Sequence, residues 1–153
     1  MKQAEANALR AMLLVRSLLA HGIRDFVLSP GSRNTPLILA LESMAEQTDG
    51  LRLHRILDER SAAFVALGMA QCLKKPVAVI CTSGSALLNY YPAVAEAFYS
   101  DIPLVIISAD RPIERIDIGD GQTIRQRNVF ENHVLCSANL YSELVLEGCA
   151  LDP

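Results

Sequence analysis

Residues 76–97 read PVAVICTSGSALLNYYPAVAEA, and this stretch decides the fold. Val77-Ala78-Val79-Ile80-Cys81 is an unbroken apolar run rich in β-branched residues, the pattern of a strand covered on both faces. Thr82-Ser83-Gly84-Ser85 is a hydroxyl-rich turn of the kind that opens a helix, and Ser85 to Tyr99 has helical spacing with a kink or restart at Pro92. From Pro76 to Ala95 no residue is charged, a length that could span a membrane. Thr82, Ser83, Gly84, Ser85, Asn89 and Pro92 would leave polar groups in lipid, so the reading is a buried strand followed by a buried helix, with no membrane span.

The same alternation runs outward in both directions. Upstream, Asn7 to Ala20 places Ala11, Leu14, Val15, Leu18 and Leu19 on one helical face, with Gly22 at the stop. Phe26-Val27-Leu28 is a short buried strand, Thr35 to Ala45 a helix, Leu51 to Leu57 extended, and Ser61 to Lys74 a helix ended by Pro76. Downstream, Leu104 to Ile107 is another apolar strand, Asp110 to Gly121 a loop, Thr123 to Asn132 a helix, and Val134 to Ala138 a last strand. Strands of this kind alternating with helices predict an α/β fold, a parallel sheet with helices on both faces. Ala62 to Ala70 is apolar almost all round, which points to an interface on the outer side of that helix.

The 153 residues make one domain, 51% apolar and 20% charged. A formal net charge of -3 offers no electrostatic footprint for nucleic acid or an anionic membrane. The first ten residues, MKQAEANALR, contain no apolar run, so no secretory leader is expected. Cys72, Cys81, Cys136 and Cys149 show no C-x-x-C pair and read as buried thiols of a reducing, cytoplasmic compartment rather than a disulfide framework. His21, His54 and His133 lack metal-ligand spacing, and phosphate-loop, dinucleotide, zinc-protease and serine-hydrolase templates are absent.

Four segments fall where parallel strands end, the place where open α/β sheets bind ligands. They are Ser29-Pro30-Gly31-Ser32-Arg33, Asp58-Glu59-Arg60, Thr82-Ser83-Gly84-Ser85 and Ala109-Asp110-Arg111-Pro112. Each has a plain structural alternative: capped turns for the first and third, a helix-dipole acid for Glu59, a loop salt bridge with Asp110 for Arg111. Two arginines, Arg33 and Arg111, at one sheet edge nonetheless suggest a small ligand carrying carboxylates or phosphate.

SPGSRNTPL at 29–37, DERSAAFVALGMA at 58–70, the quoted 76–97 segment and ISADRP at 107–112 together resemble one family, over roughly residues 8 to 140. It is the 2-succinyl-5-enolpyruvyl-6-hydroxy-3-cyclohexene-1-carboxylate synthases, thiamin-diphosphate enzymes of menaquinone biosynthesis. DER and TSG are shared broadly with thiamin-diphosphate enzymes; SPGSR, ADRP and the following G-x-x-Q-x-I-x-Q select this member. The resemblance implies a flavodoxin-like, pyrimidine-binding N-terminal domain. It implies that Glu59 hydrogen-bonds the aminopyrimidine ring nitrogen of thiamin diphosphate and thereby favours the imino tautomer, whose exocyclic nitrogen takes the thiazolium C2 proton. It places Thr82, Ser83 and Gly84 beside the pyrimidine, and Ser32, Arg33, Arg111 and Gln122 on the two dicarboxylate substrates, 2-oxoglutarate and isochorismate.

Family members carry two further domains, one of them holding Mg²⁺ and the diphosphate. The expectation is therefore one domain, residues 1–153, that is a piece of a larger homo-oligomeric enzyme and inactive alone, with 141–153 an unassigned tail. Gly119-Asp120-Gly121 imitates the metal-binding G-D-G of the missing half, but no hydrophobic strand precedes it and no Asn pair follows, so no metal site is assigned. The family usually reads G-A-x-Q here, and Asp120 puts an extra carboxylate beside Gln122. A carboligase or decarboxylase of the acetohydroxyacid-synthase kind would keep the cofactor residues and differ at Arg33, Arg111 and Gln122. A non-catalytic flavodoxin-like module fits the periodicity but not the ordered motifs.

Overall fold

The computed structural model describes residues 3–140 and the backbone of 144–145. Its elements are α1 (Gln3–Ala20), β1 (Asp25–Leu28), α2 (Thr35–Ala45), β2 (Arg52–Arg55), α3 (Glu59–Leu73), β3 (Val77–Cys81), α4 (Ser85–Leu88), α5 (Tyr91–Tyr99) and β4 (Leu104–Ser108). The four strands pair in parallel in the order β2-β1-β3-β4. Successive strand residues face opposite sides, and the register lines them up across the sheet. Phe26, Ala78 and Val105 form one row and Leu28, Ile80 and Ile107 another, both under α1 and α2. Val27, Val79 and Ile106 face α3 and α5. Every residue of β3 is fully buried, which is why its sequence is apolar at all five positions. Each such Val or Ile contributes about 1.5–3 kcal/mol. The parallel sheet with helices on both faces is the flavodoxin-like arrangement the alternation predicts.

Helix boundaries follow local chemistry. Asp58 accepts a hydrogen bond from the Ser61 amide at 2.8 Å, so α3 begins at Glu59, two residues earlier than expected from periodicity. α4 ends at Leu88 and α5 begins at Tyr91, with Pro92 in its first turn, where the missing amide hydrogen cannot continue the α4 ladder. On α3 the inner side buries Ala62, Ala63, Ala66, Leu67 and Ala70, while Phe64 and Val65 remain 45% and 42% exposed on the outer side.

Three expectations require correction. Residues 123–132 form turns, with one 3₁₀ turn at Glu131–His133, rather than a helix. Left-handed backbone at Gln122 (φ 54) and Asn128 (φ 56) interrupts any i→i−4 ladder. Residues 134–138 are not a strand; Asn139–Leu140 pairs antiparallel with Leu144–Val145, apart from the main sheet. The cysteines are not uniformly buried thiols: Cys81 is buried and free, Cys72 exposed and free, and Cys136 disulfide-bonded. Cys149 and most of the 141–153 tail lie outside the described residues. Among the described residues no helix is long and apolar enough to cross a membrane.

Candidate functional site

The four motif segments meet at the C-terminal edge of the sheet, where β1 and β3 lie side by side and their connections diverge in opposite directions. After β1 the chain turns at Ser29, whose amide donates to Ile80 O (2.8 Å) and whose hydroxyl donates to Ile56 O (3.0 Å), tying three strand ends together. Asn34, fully buried, closes this turn: its side-chain amide donates to Ser29 O (2.9 Å) and its oxygen accepts from the Gly31 amide (2.8 Å). Gly31 presses directly on β3; a Cβ there would lie 2.6 Å from Thr82 Cβ. Ser32 is exposed at the tip and Arg33 projects from it.

The segment after β4 folds back over this edge. Gln126, buried, accepts from the Gly84 amide (2.6 Å) and donates to Ser108 Oγ (3.1 Å) and Ala109 O (2.9 Å), clamping the loop to the ends of β3 and β4. Ser83 donates to Gln122 O at 2.9 Å. Gly84 has φ +79, and a Cβ on it would meet Gln122 backbone atoms at 2.9 Å. That approach brings Arg33 to Gln122 Oε1 at 3.3 Å, a contact across 89 residues of chain. Arg111 donates to Gly121 O (3.1 Å) and faces Asp120 at 3.5 Å. Its loop is closed by Asp110, which accepts from the Arg111 amide; the guanidinium pairs with Asp120.

Glu59 opens α3 half-buried, close enough to Cys81 and Tyr90 for its charge to disfavour ionisation of both. Burial is the larger cause: it pushes the Cys81 thiol up to about 12 and the Tyr90 phenol well above its ordinary range, so both stay neutral. The floor beside Glu59 is thus uncharged.

Of the residues expected from sequence, Arg33, Ser83, Gly84, Arg111 and Gln122 are joined by contacts, and Thr82 lies against Gly31 beneath them. Glu59 lies on the adjoining side at Cys81, and Ser32 touches none of them through a described hydrogen bond. Asn34, Gln126 and Tyr90 are buried parts of the site to which motif reading assigns no role. Gln126 does stand at the last position of the G-x-x-Q-x-I-x-Q run, which is the signal that could have found it. Three buried polar atoms here lack a hydrogen-bond partner, Thr82 Oγ1, the Tyr90 hydroxyl and Arg111 Nε. Orphaned donors cost free energy unless a ligand satisfies them, so the residues fit a bound heterocycle beside β3 and an anion beside Arg111. The described hollows, about 480 and 220 Å³, lie instead toward the opposite strand ends around Asp25 and Arg52. Neither of these two hollows includes a residue of the four motif segments. Among the described residues no group of three His, Cys, Asp or Glu could hold a metal ion.

The profile of the thiamine pyrophosphate enzymes' N-terminal TPP binding domain matches residues 10–137. Proteins named 2-succinyl-5-enolpyruvyl-6-hydroxy-3-cyclohexene-1-carboxylate synthase are similar to the chain. The one from Christiangramia forsetii is 68% identical over 94% of this chain and 24% of its own length. Those from Flavobacterium johnsoniae and Corynebacterium jeikeium are 57% and 48% identical over 90% and 91% of this chain, again 24% and 23% of their lengths. The chain thus spans about a quarter of these relatives. The chain belongs to the thiamine pyrophosphate enzyme family, as that family's N-terminal TPP binding domain.

Proposed function

We propose that this chain is the pyrimidine-binding half of the active site of a synthase that decarboxylates 2-oxoglutarate and adds the resulting four-carbon unit to isochorismate, in menaquinone biosynthesis. The reading rests on one strand edge that carries an acid, Glu59, beside the neutral Cys81 and Tyr90, and on its adjoining side two arginines, Arg33 and Arg111, each held to the 121–122 turn. The similarity to relatives bearing that name supports the choice of substrates.

Bound thiamin diphosphate supplies the nucleophilic carbon and electron sink that no side chain provides. Glu59 holds a proton at the aminopyrimidine ring nitrogen, and its half-buried position limits competing exchange with water. Thr82, Ser83 and Gly84 would border the pyrimidine, with Ser83 and Gly84 holding the 122–126 segment in place beside it. Ser32, Arg33, Arg111 and Gln122 bind and orient the dicarboxylates, Arg111 through the Nε–Nη fork that stands half satisfied. Mg²⁺ and the diphosphate fall to further domains of the same enzyme. Closure of the site falls to a homo-oligomeric partner or those domains, packed on the outer side of α3, where Phe64, Val65 and Leu73 lie open.

The test is turnover by the full-length protein with thiamin diphosphate and Mg²⁺. Product from 2-oxoglutarate and isochorismate is expected, with none from this chain alone. Preference for pyruvate as donor would favour an acetohydroxyacid-type carboligase, and turnover by the isolated chain would overturn the half-site reading.

A further inference from the structure

We propose that Asp120 is a built-in competitor for a substrate carboxylate, holding Arg111 in charge balance until the ligand displaces it. The inference rests on the reading of Arg111 as a substrate-binding residue. It starts from a contrast among ion pairs in this one molecule. Arg52 reaches Asp25 through Nε at 2.7 Å as well as through Nη2, and Arg125 grips Asp117 through Nε and Nη2 at 2.9 and 2.7 Å. Both are forked, charge-assisted hydrogen bonds.

Asp120 is different. Its Oδ2 stands 3.5 Å from Arg111 and 3.7 Å from Arg115, outside the length of a formed charge-assisted hydrogen bond. Arg111 Nη2 spends a donor on Gly121 O, and Nε is buried with no acceptor at all. Asp120 therefore supplies charge without geometry. It offsets two arginines while leaving the Arg111 fork unfilled. A ligand carboxylate that satisfied Nε together with an Nη would gain what Asp120 does not provide, yet must compete with its field. Asp120 and Arg111 are both about a quarter exposed, so that field is only partly screened by water.

The test uses the full-length enzyme with Asp120→Asn, which keeps size and removes charge, and Asp120→Ala, which removes the side chain. KM and kcat are measured separately for 2-oxoglutarate and isochorismate at about 0.05 and 0.5 M salt. Expected for both variants is a KM lower by roughly two- to tenfold for the dicarboxylate seated on Arg111, the range of one partly exposed charge interaction. The other substrate's KM and kcat should stay within about twofold, and the gain should shrink at high salt. A KM that rises in Asp120→Ala and is rescued in Asp120→Asn would show that Asp120 positions Arg111 and would overturn the proposal. So would unchanged KM values, or a gain indifferent to salt. If the parent enzyme turns over neither substrate, the functional reading fails and this inference with it; if the parent is active and the variants are unaltered, only the inference fails.

Discussion

Replacing Gly84 by alanine tests whether the 119–126 loop is seated on the strand edge as described. Gly84 has φ 79 and ψ −143, a region essentially closed to side-chain-bearing residues, at a cost on the order of 1–3 kcal/mol. The added Cβ would also stand 2.9 Å from the carbonyl carbon, Cα and oxygen of Gln122, backbone atoms that cannot swing aside as a side-chain tip can. Relief requires the loop to lift, which breaks the Gly84 N–H to Gln126 and Ser83 to Gln122 hydrogen bonds, about 0.5–1.5 kcal/mol each. The total destabilisation is about 2–6 kcal/mol. For a domain of this size that corresponds to a drop in Tm of roughly 4–24 °C. Thermal unfolding followed by circular dichroism reads it directly, and loop lifting should also raise amide exchange of residues 122–126. A Gly84→Ala chain melting within about a degree of the parent would show that Gln122 does not pack on Gly84, and the site geometry would fall with it.

Other perturbations address the helix face and the Asp25–Arg52 ion pair. Gly68 lies inside α3, and a methyl group added there would meet nothing within 4 Å, so Gly68→Ala should stabilise the monomer by about 0.5–1 kcal/mol. If the outer side of α3 is an interface, the same change should weaken self-association in sedimentation at micromolar concentration; unaltered association would place the interface elsewhere. Asp25 is buried against Arg52 and His54, and the hydrogen bond from Arg52 holds its carboxyl below the ordinary range. Its contribution is therefore fully present above the unfolded value of about 4 and is lost as pH falls through the lower folded value. Asp25→Asn should cost about 1–3 kcal/mol at neutral pH and flatten the acid limb of the Tm–pH curve; an equally steep limb would assign acid lability to other carboxylates.

The sheet was legible because its strands obey a single constraint. Val77 to Cys81 is buried on both faces, so no polar residue interrupts it, and the following Thr-Ser-Gly-Ser could only be a strand-to-helix turn. Positions at strand ends then gathered Arg33, Glu59, Thr82, Ser83, Gly84 and Arg111 with their neighbours, while Gln122 and the role of each residue came from the family resemblance. What failed was local pattern overruled by long-range hydrogen bonds. Thr123 to Asn132 has helix-compatible composition, yet Gln126 is committed to Gly84, Ser108 and Ala109, and those partners lie at the sheet. Asn34 stands at the N-cap position of α2, but its side chain turns back to Ser29 and Gly31 instead of capping the helix, a commitment no local pattern signals. The Arg33–Gln122 and Arg52–Asp25 pairs join residues 89 and 27 apart, separations that carry no periodic signal.

The central claim is that Glu59 works on a proton of the cofactor rather than on the dipole of α3, and one measurement separates the two. Glu59→Gln in the full-length protein keeps the side chain's size and removes its charge. A helix-terminal acid is worth at most about 1 kcal/mol of stability and nothing to the chemistry. A positioned proton-transfer group is worth a factor on the order of 10² or more in rate. Hydrogen–deuterium exchange at C2 of bound thiamin diphosphate, followed by NMR after rapid quench, reads the step itself, with thermal unfolding as the companion measurement. The expected result is exchange slowed by about 10² or more with Tm nearly unchanged; near-normal exchange, with or without a fall in Tm, would contradict the account and leave Glu59 a helix-terminal acid.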